Sequence, residues 1–252
     1  MARPVHEFET YLHSMELQRG QDWDTAEYPY GLPAVRGWDK LAFHPHVTFF
    51  VGENGSGKST LIEAIAAAYG LNPEGGSRDH RYSTQATHSP LHNHVRLVKS
   101  TRRAKDAFFL RAESFYTFST FIDAEGNRSR MGGHALHELS HGQSFTALIE
   151  NRFNGSGLYI LDEPEAALSP NRQLGFLARL HELVGQKSQF IIATHSPIIL
   201  AYPNATIYEL SPSGLLPTAY DDLEHVQVTR NFLNRTKMFL DTLLADDDEA
   251  DE

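Results

Sequence analysis

The sequence predicts an α/β fold, a mainly parallel sheet with flanking helices, on the strength of three segments. Val47-Thr48-Phe49-Phe50-Val51 is a short apolar run that enters a glycine-rich turn, and residues 60–69 then read as an alanine-rich helix stopped by Gly70. Leu158-Tyr159-Ile160-Leu161 is a second such run, followed by Ser169 and Pro170 in the positions of a helix N-cap and first helical residue. Phe190-Ile191-Ile192-Ala193 is a third. Short continuous apolar runs separated by helices are the pattern of strands buried on both faces, as parallel sheets require.

The helix after Pro170 is expected to bury Leu174, Leu177, Leu180 and Val184 on one face and to end at Gly185. Residues 71–105 hold Gly75-Gly76, many polar residues and several histidines, and read as a long surface insertion with little regular structure. Phe115, Phe118, Phe121 and Ile122 recur at helical spacing and are expected to serve the core. The expected organisation is one domain over residues 1–243, with residues 71–130 as an insertion or helical region, and an acidic disordered tail over 244–252.

Composition narrows the function. The chain has 252 residues, 40% of them hydrophobic, a formal net charge of −10 and no cysteine. A disulfide framework and a thiolate metal site are thereby excluded, and a globally basic nucleic-acid binder is disfavoured. Much of the negative charge sits in Asp241, Asp246, Asp247, Asp248, Glu249, Asp251 and Glu252, so the body is nearly balanced. Arg102, Arg103 and Lys105 remain candidates for a local basic patch facing DNA. No apolar stretch approaches the roughly 20 residues that span a bilayer. The N-terminus, Met1-Ala2-Arg3-Pro4, lacks the apolar region of a signal peptide, which gives a cytoplasmic expectation without direct membrane insertion.

Gly52-Glu53-Asn54-Gly55-Ser56-Gly57-Lys58-Ser59-Thr60 fits G-x-x-x-x-G-K-[ST], between a strand and a helix as that pattern requires. A triphosphate is held by converging backbone N–H groups, and glycines permit the necessary φ values and close approach. Lys58 is expected on the β- and γ-phosphates and Ser59 on Mg²⁺. The strand 158–161 delivers Asp162 and Glu163 to the same edge, Asp162 to hold Mg²⁺ and Glu163 to orient or deprotonate the attacking water.

Further motifs resemble the ATP-binding cassette (ABC) ATPases over most of residues 10–210. Leu139-Ser140-His141-Gly142-Gln143 resembles the LSGGQ signature, Asp162-Glu163-Pro164 with Ala167-Leu168-Ser169-Pro170 the Walker B and D-loop, and Ala193-Thr194-His195 the switch-histidine strand. The order is the family's own. The resemblance implies a P-loop fold with a small signature-bearing subdomain, ATP and Mg²⁺ as cofactors, and an ATP-dependent head-to-tail homodimer. Ser140, His141, Gly142 and Gln143 would then act in trans on the γ-phosphate held by the partner, with Lys58, Glu163 and His195 acting in cis. Gln85 is the candidate for the metal-reaching Q-loop glutamine by order alone.

Two positions depart from the family pattern: His141 replaces the first signature glycine, and Ser169 stands where the D-loop aspartate is usual. An imidazole at residue 141 is expected to make dimer closure pH-sensitive, an expectation refuted by an ATPase pH profile that His141→Gly leaves unchanged. The helix following the signature and the Asp162-Glu163-Pro164-Glu165 segment look more like the RecF-, SMC- and OLD-like ATPases of repair and defence than like transporter subunits. The expected function is an ATP-driven switch on an unidentified protein partner or DNA; the alternatives are a transporter ATPase subunit and a nucleotide sensor that does not hydrolyse. His137-Glu138-Leu139-Ser140-His141 also matches the zinc pattern H-E-x-x-H, but glycines on both sides count against a continuous helix there. His88, His92 and His94 form a second candidate metal cluster, with no carboxylate close beside it.

Overall fold

The computed structural model describes residues 10–20, 23–77, 89–112 and 141–245. In chain order the strands are β1 (Leu12–Leu17), β2 (Lys40–Ala42), β3 (Val47–Gly52), β4 (Val95–Lys99), β5 (Asp106–Arg111), β6 (Gly157–Asp162), β7 (Gln189–Ala193), β8 (Thr206–Ser211) and β9 (Gly214–Pro217). The helices are α1 (Lys58–Tyr69), α2 (His141–Arg152), α3 (Pro170–Gly185), α4 (Pro197–Leu200), α5 (Glu224–Asn234) and α6 (Thr236–Leu243).

Six strands form the main sheet in the order β5-β6-β7-β3-β8-β9. All its pairings are parallel except β8 with β9. Alternation along the strands divides the core in two. Phe50, Leu158, Ile160 and Ile191 pack with Leu61, Ile62 and Ile65 of α1 on one face. Phe49, Tyr159, Leu161 and Ile192 pack with Phe145 and Leu148 of α2 and Phe176 and Leu180 of α3 on the other. Strands covered on both sides need apolar residues at every position, which is why β6 and β7 carry no polar/apolar alternation.

A second, antiparallel sheet, β2-β1-β4, lies over the α1 face. Gln189 ties the two sheets together. Its Oε1 accepts from the N–H groups of Tyr11 (3.0 Å) and Leu12 (2.9 Å), and its Nε2 donates to the carbonyls of Leu12 (2.9 Å) and His44 (3.1 Å). A fully buried amide satisfied four times over costs little to bury and fixes one register.

Three expectations require correction or restriction. Residues 71–105 are not devoid of regular structure: a 3-10 turn (Pro90–His94) leads into β4, whose Val95 and the preceding Leu91 are buried. The buried face of α3 is Gln173, Phe176, Leu180 and Leu183, while Leu174 is 57% exposed. With Phe176, Leu180 and Leu183 on the buried face, Leu174 is on the opposite, solvent side of the helix. The aromatic positions 115–122 lie outside the described residues.

Candidate functional site

The carboxyl ends of β3, β6 and β7 meet at one edge, with Asp162 opposite Ala193 and Ala193 opposite Phe50 in register. Ligands of open α/β sheets bind at this edge. The loop leaving β3 turns through left-handed glycines, Gly55 at φ 80° and Gly57 at φ 96°. At Gly57 a Cβ would also meet Ala34 Cβ at 2.9 Å and Leu32 Cδ1 at 3.0 Å, so both conformation and space demand glycine. Gly57 caps α1 without a side-chain hydrogen bond, which leaves first-turn N–H groups facing the loop as an anion cradle. The Ala34 N–H donates to the Ser56 carbonyl at 3.0 Å and braces the loop from outside. The Ser56 hydroxyl is buried without a hydrogen-bond partner.

Lys58, 4% exposed, folds back so that Nζ donates to the carbonyls of Gly52 (2.7 Å) and Glu53 (3.0 Å). Burial pushes its ammonium below the usual lysine range, against the carboxylates of Glu163, Asp162, Glu53 and Glu165. A cation held by carbonyls at the floor of a glycine cradle, beside an orphaned buried hydroxyl, fits a phosphate.

Ser59 donates to Asp162 Oδ1 at 3.2 Å. A hydroxyl and a carboxylate converging in this way are hard oxygen ligands of the kind Mg²⁺ takes together with phosphate oxygens. The sequence reading missed the residue that holds Asp162. Arg111, last in β5 and in register with Asp162, places Nε 3.6 Å from Asp162 Oδ2 and donates through Nη1 to Glu63 Oε2 at 2.9 Å. Glu63 in turn accepts from the Ser89 N–H at 3.2 Å. Arg111 closes an unremarkable apolar run, so only the strand pairing reveals it.

Glu163 leaves β6 in the left-handed region, φ 51°, with its N–H bonded to the Ala193 carbonyl at 2.9 Å. This sharp turn aims its carboxylate across the sheet edge, and Oε1 lies 3.6 Å from His195 Nε2. That nitrogen is buried and has no hydrogen bond. Burial, then the Lys58 charge, push the His195 imidazole below the usual histidine range, against the pull of Glu163 and Glu53. Glu165, also missed, clamps the switch segment: its carboxylate accepts from Thr194 Oγ1 at 2.7 Å and from the His195 N–H at 2.5 Å. Burial pushes the Glu165 carboxyl above the usual carboxylate range, against these bonds. Gln173 of α3 completes the link. It accepts from Ser196 Oγ at 2.5 Å and donates to the Leu168 carbonyl at 3.0 Å, joining switch segment to D-loop.

Of the signature, Gly142 and Gln143 lie in α2, with Gln143 exposed. A Cβ at Gly142 would meet Arg172 Nη1 at 2.5 Å and the Ala167 carbonyl at 2.7 Å, so a side chain there would displace the D-loop segment. The side chain of His141, and Ser140, Gln85, His88, His137 and Glu138, lie outside the described residues. Both ring nitrogens of His94 are engaged, with Tyr30 Oη (3.1 Å) and the Gln18 carbonyl (3.0 Å), and His92 Nδ1 pairs with the Ser89 carbonyl at 2.9 Å. Among the described residues no group of three metal-ligating side chains forms. Arg102, Arg103 and Lys105 are exposed near the start of β5. On the outer side of the loop, Tyr28 is 64% exposed and its hydroxyl lies 3.2 Å from Thr60 Oγ1.

Residues 32–140 match a family model described as an AAA domain. Among solved structures, the SMC head domain from Thermotoga maritima is similar at 16% identity, covering 83% of this chain and 100% of that one, with a TM-score of 0.46. CbiO1 from Clostridium perfringens, part of the ABC transporter complex cbiONQ, matches at 16% identity over 91% and 98% of the two chains, TM-score 0.49. An SMC head bound to the C-winged helix domain of ScpA matches at 14% identity over 83% and 98%, TM-score 0.47. No curated protein matches.

Proposed function

We propose that this chain is an ABC-type P-loop ATPase, a reading supported by its motif order and mainly parallel sheet, and that it binds and hydrolyses ATP as a head-to-tail homodimer and acts as a cytoplasmic switch on a protein or DNA partner. The observation that carries this reading is the convergence of Lys58, Ser59, Asp162, Glu163 and His195 at the carboxyl edge of three adjacent parallel strands. The loop N–H groups and Lys58 bind the phosphates. Ser59 and Asp162 would hold Mg²⁺, which would neutralise charge on the phosphate oxygens. Glu163 orients the attacking water and takes its proton as the water oxygen bonds to the γ-phosphorus and the bridging oxygen leaves with ADP, while His195 Nε2 donates to the γ-phosphate.

Donors aimed at the developing phosphoryl charge are the main source of catalysis in this chemistry, and Ser140 with the Gly142 N–H would add two more from the partner. Gly142 is packed against Ala167 and Arg172, so closure of the dimer on the signature would be felt by the D-loop and, through Gln173, by His195. The partner-facing surface is proposed to be formed partly by residues 71–130, among which Arg102, Arg103 and Lys105 are exposed. No helix among the described residues is long and apolar enough to cross a membrane.

The test is the mass of Glu163→Gln protein by light scattering. With Mg-ATP it is expected at twice the 28.3 kDa of one chain, and with Mg-ADP at that of one chain. A single-chain mass under both conditions refutes the homodimer; loss of nucleotide binding in Lys58→Ala is expected in parallel.

A further inference from the structure

One half-buried histidine near the site has no part in the chemistry above. His225 is the second residue of α5, between Leu223 and Val226, which are 0% and 2% exposed. These two side chains anchor the helix start in the core cluster that also holds Ile199 and Leu200 of α4. The Tyr220 hydroxyl donates to the Pro197 carbonyl at 2.9 Å and fastens the approach to α5 onto the same segment. Since α4 follows His195 and Ser196 directly, α5 begins against the element that carries the switch histidine.

His225 Nε2 is buried and makes no hydrogen bond, as is true of His195 Nε2 and the Ser56 hydroxyl. The charges acting on its ring come from Glu209 of β8, Glu53 of the phosphate loop, Glu224 beside it and Lys58, and it acts in turn on His195. Glu209 pairs in register with Val51, immediately before Gly52. His225 is therefore within electrostatic reach of the loop and of β8, the strand beside it, whereas His195 follows β7. Ser56 Oγ of the loop and Nε2 of the two histidines that feel the Lys58 charge are thus buried polar atoms without a protein partner, and such an atom carries a cost that a ligand oxygen would relieve where the atom bears the hydrogen.

We propose that His225 is a further nucleotide-contacting residue, its Nε2–H donating to the terminal phosphate of a bound nucleoside triphosphate, so that α5 is held to the site while that phosphate is present. The inference rests on the ATP-site reading. It gives the C-terminal helix pair a direct sense of nucleotide state: α6 has no buried residue, and Leu233, Met238 and Leu243 stand exposed on the pair. No motif marks His225, because it lies far along the chain from the phosphate loop and comes to it only through the packing of α5 on α4.

The test is calorimetric titration of wild type, His225→Ala and His225→Gln with the magnesium complexes of a non-hydrolysable ATP analogue and of ADP. Loss of a charge-assisted hydrogen bond weakens the analogue about tenfold or more in His225→Ala. ADP affinity is expected to stay within about twofold, and His225→Gln, which keeps an N–H donor, to recover part of the loss. Amide-exchange protection of residues 224–234 is expected with the analogue, not with ADP, and to be lost in His225→Ala. Equal changes for both nucleotides, or wild-type affinity for the analogue in both variants, would overturn the role of His225 and leave the ATP site standing. Wild-type protein that binds neither nucleotide would overturn both.

Discussion

Replacing Glu165 by alanine removes the acceptor shared by the Thr194 hydroxyl and the His195 N–H, at 2.7 and 2.5 Å. Both donors sit in a segment where Thr194 is fully buried, so water does not simply take the place of the carboxylate. A hydrogen bond to an ionised group contributes about 1.5–3 kcal/mol, so two of them set the expected loss at about 3 kcal/mol or more. For a domain of this size each kcal/mol moves the melting temperature by about 2–4 °C, and a drop of about 6–12 °C follows. Catalysis suffers separately. The His195 backbone is the part of the switch that Glu165 grips, and misplacing a positioned group by about 1 Å can cost about 10²-fold in rate. Glu165→Gln keeps a carbonyl oxygen for the His195 N–H, so its melting temperature and kcat should both lie between those of wild type and Glu165→Ala. The assay is scanning calorimetry alongside steady-state kcat and KM for Mg-ATP, with KM expected to change little. An unshifted melting temperature in Glu165→Ala, or a kcat reduced only in proportion to the unfolded fraction, refutes the clamp.

Burial, then the His46 charge, push His44 below the usual histidine range, and burial does the same to His46. The folded state therefore binds fewer protons than the unfolded state just below pH ~6.5, and stability falls as pH drops through that value toward the lowered folded pKa. His44 Nδ1 accepts from the N–H groups of His46 and Val47 at 3.1 and 3.3 Å, which only an unprotonated nitrogen can do. His44→Asn should flatten the fall in melting temperature between pH 7.5 and 5.5, and an unchanged slope counts against this account. Arg111→Met leaves the carboxylates of Glu63 and Asp162, both largely buried, without their shared cation, at an expected cost of about 3 kcal/mol. Added Mg²⁺ should raise the melting temperature of that variant more than that of wild type, because the cation replaces charge beside Asp162; equal shifts in thermal melts would argue against a metal at Asp162.

Residues whose chemistry is local were legible in the sequence. Gly57 and Lys58 act through their own backbone and side chain, and Asp162 and Glu163 follow an apolar strand that could end only at a sheet edge. Arg111, Glu165 and Gln173 act through partners distant in sequence or across the sheet edge; nothing in the neighbourhoods of Arg111 and Gln173 marks them, and the motif that holds Glu165 does not reveal its partners. Arg111 depends on the β5–β6 register, and Gln173 on the rotation of α3. The antiparallel sheet went unseen for a related reason. β2 is three residues long and β4 follows a stretch rich in polar residues, so neither announces itself before both pair with β1. The histidines at 92 and 94 looked like metal ligands because spacing alone cannot reveal that the Ser89 carbonyl holds His92 Nδ1 and that Tyr30 and the Gln18 carbonyl hold both nitrogens of His94.

The proposed completion of the catalytic site by the signature of a second copy would make turnover per chain depend on protein concentration, and this is its most direct measurable consequence. Steady-state hydrolysis of saturating Mg-ATP, measured across a wide range of wild-type concentrations, is expected to show specific activity rising and then reaching a plateau, with Glu163→Gln inactive throughout. A specific activity independent of concentration down to the lowest measurable level, or Glu163→Gln turning over ATP like wild type, would contradict the composite site.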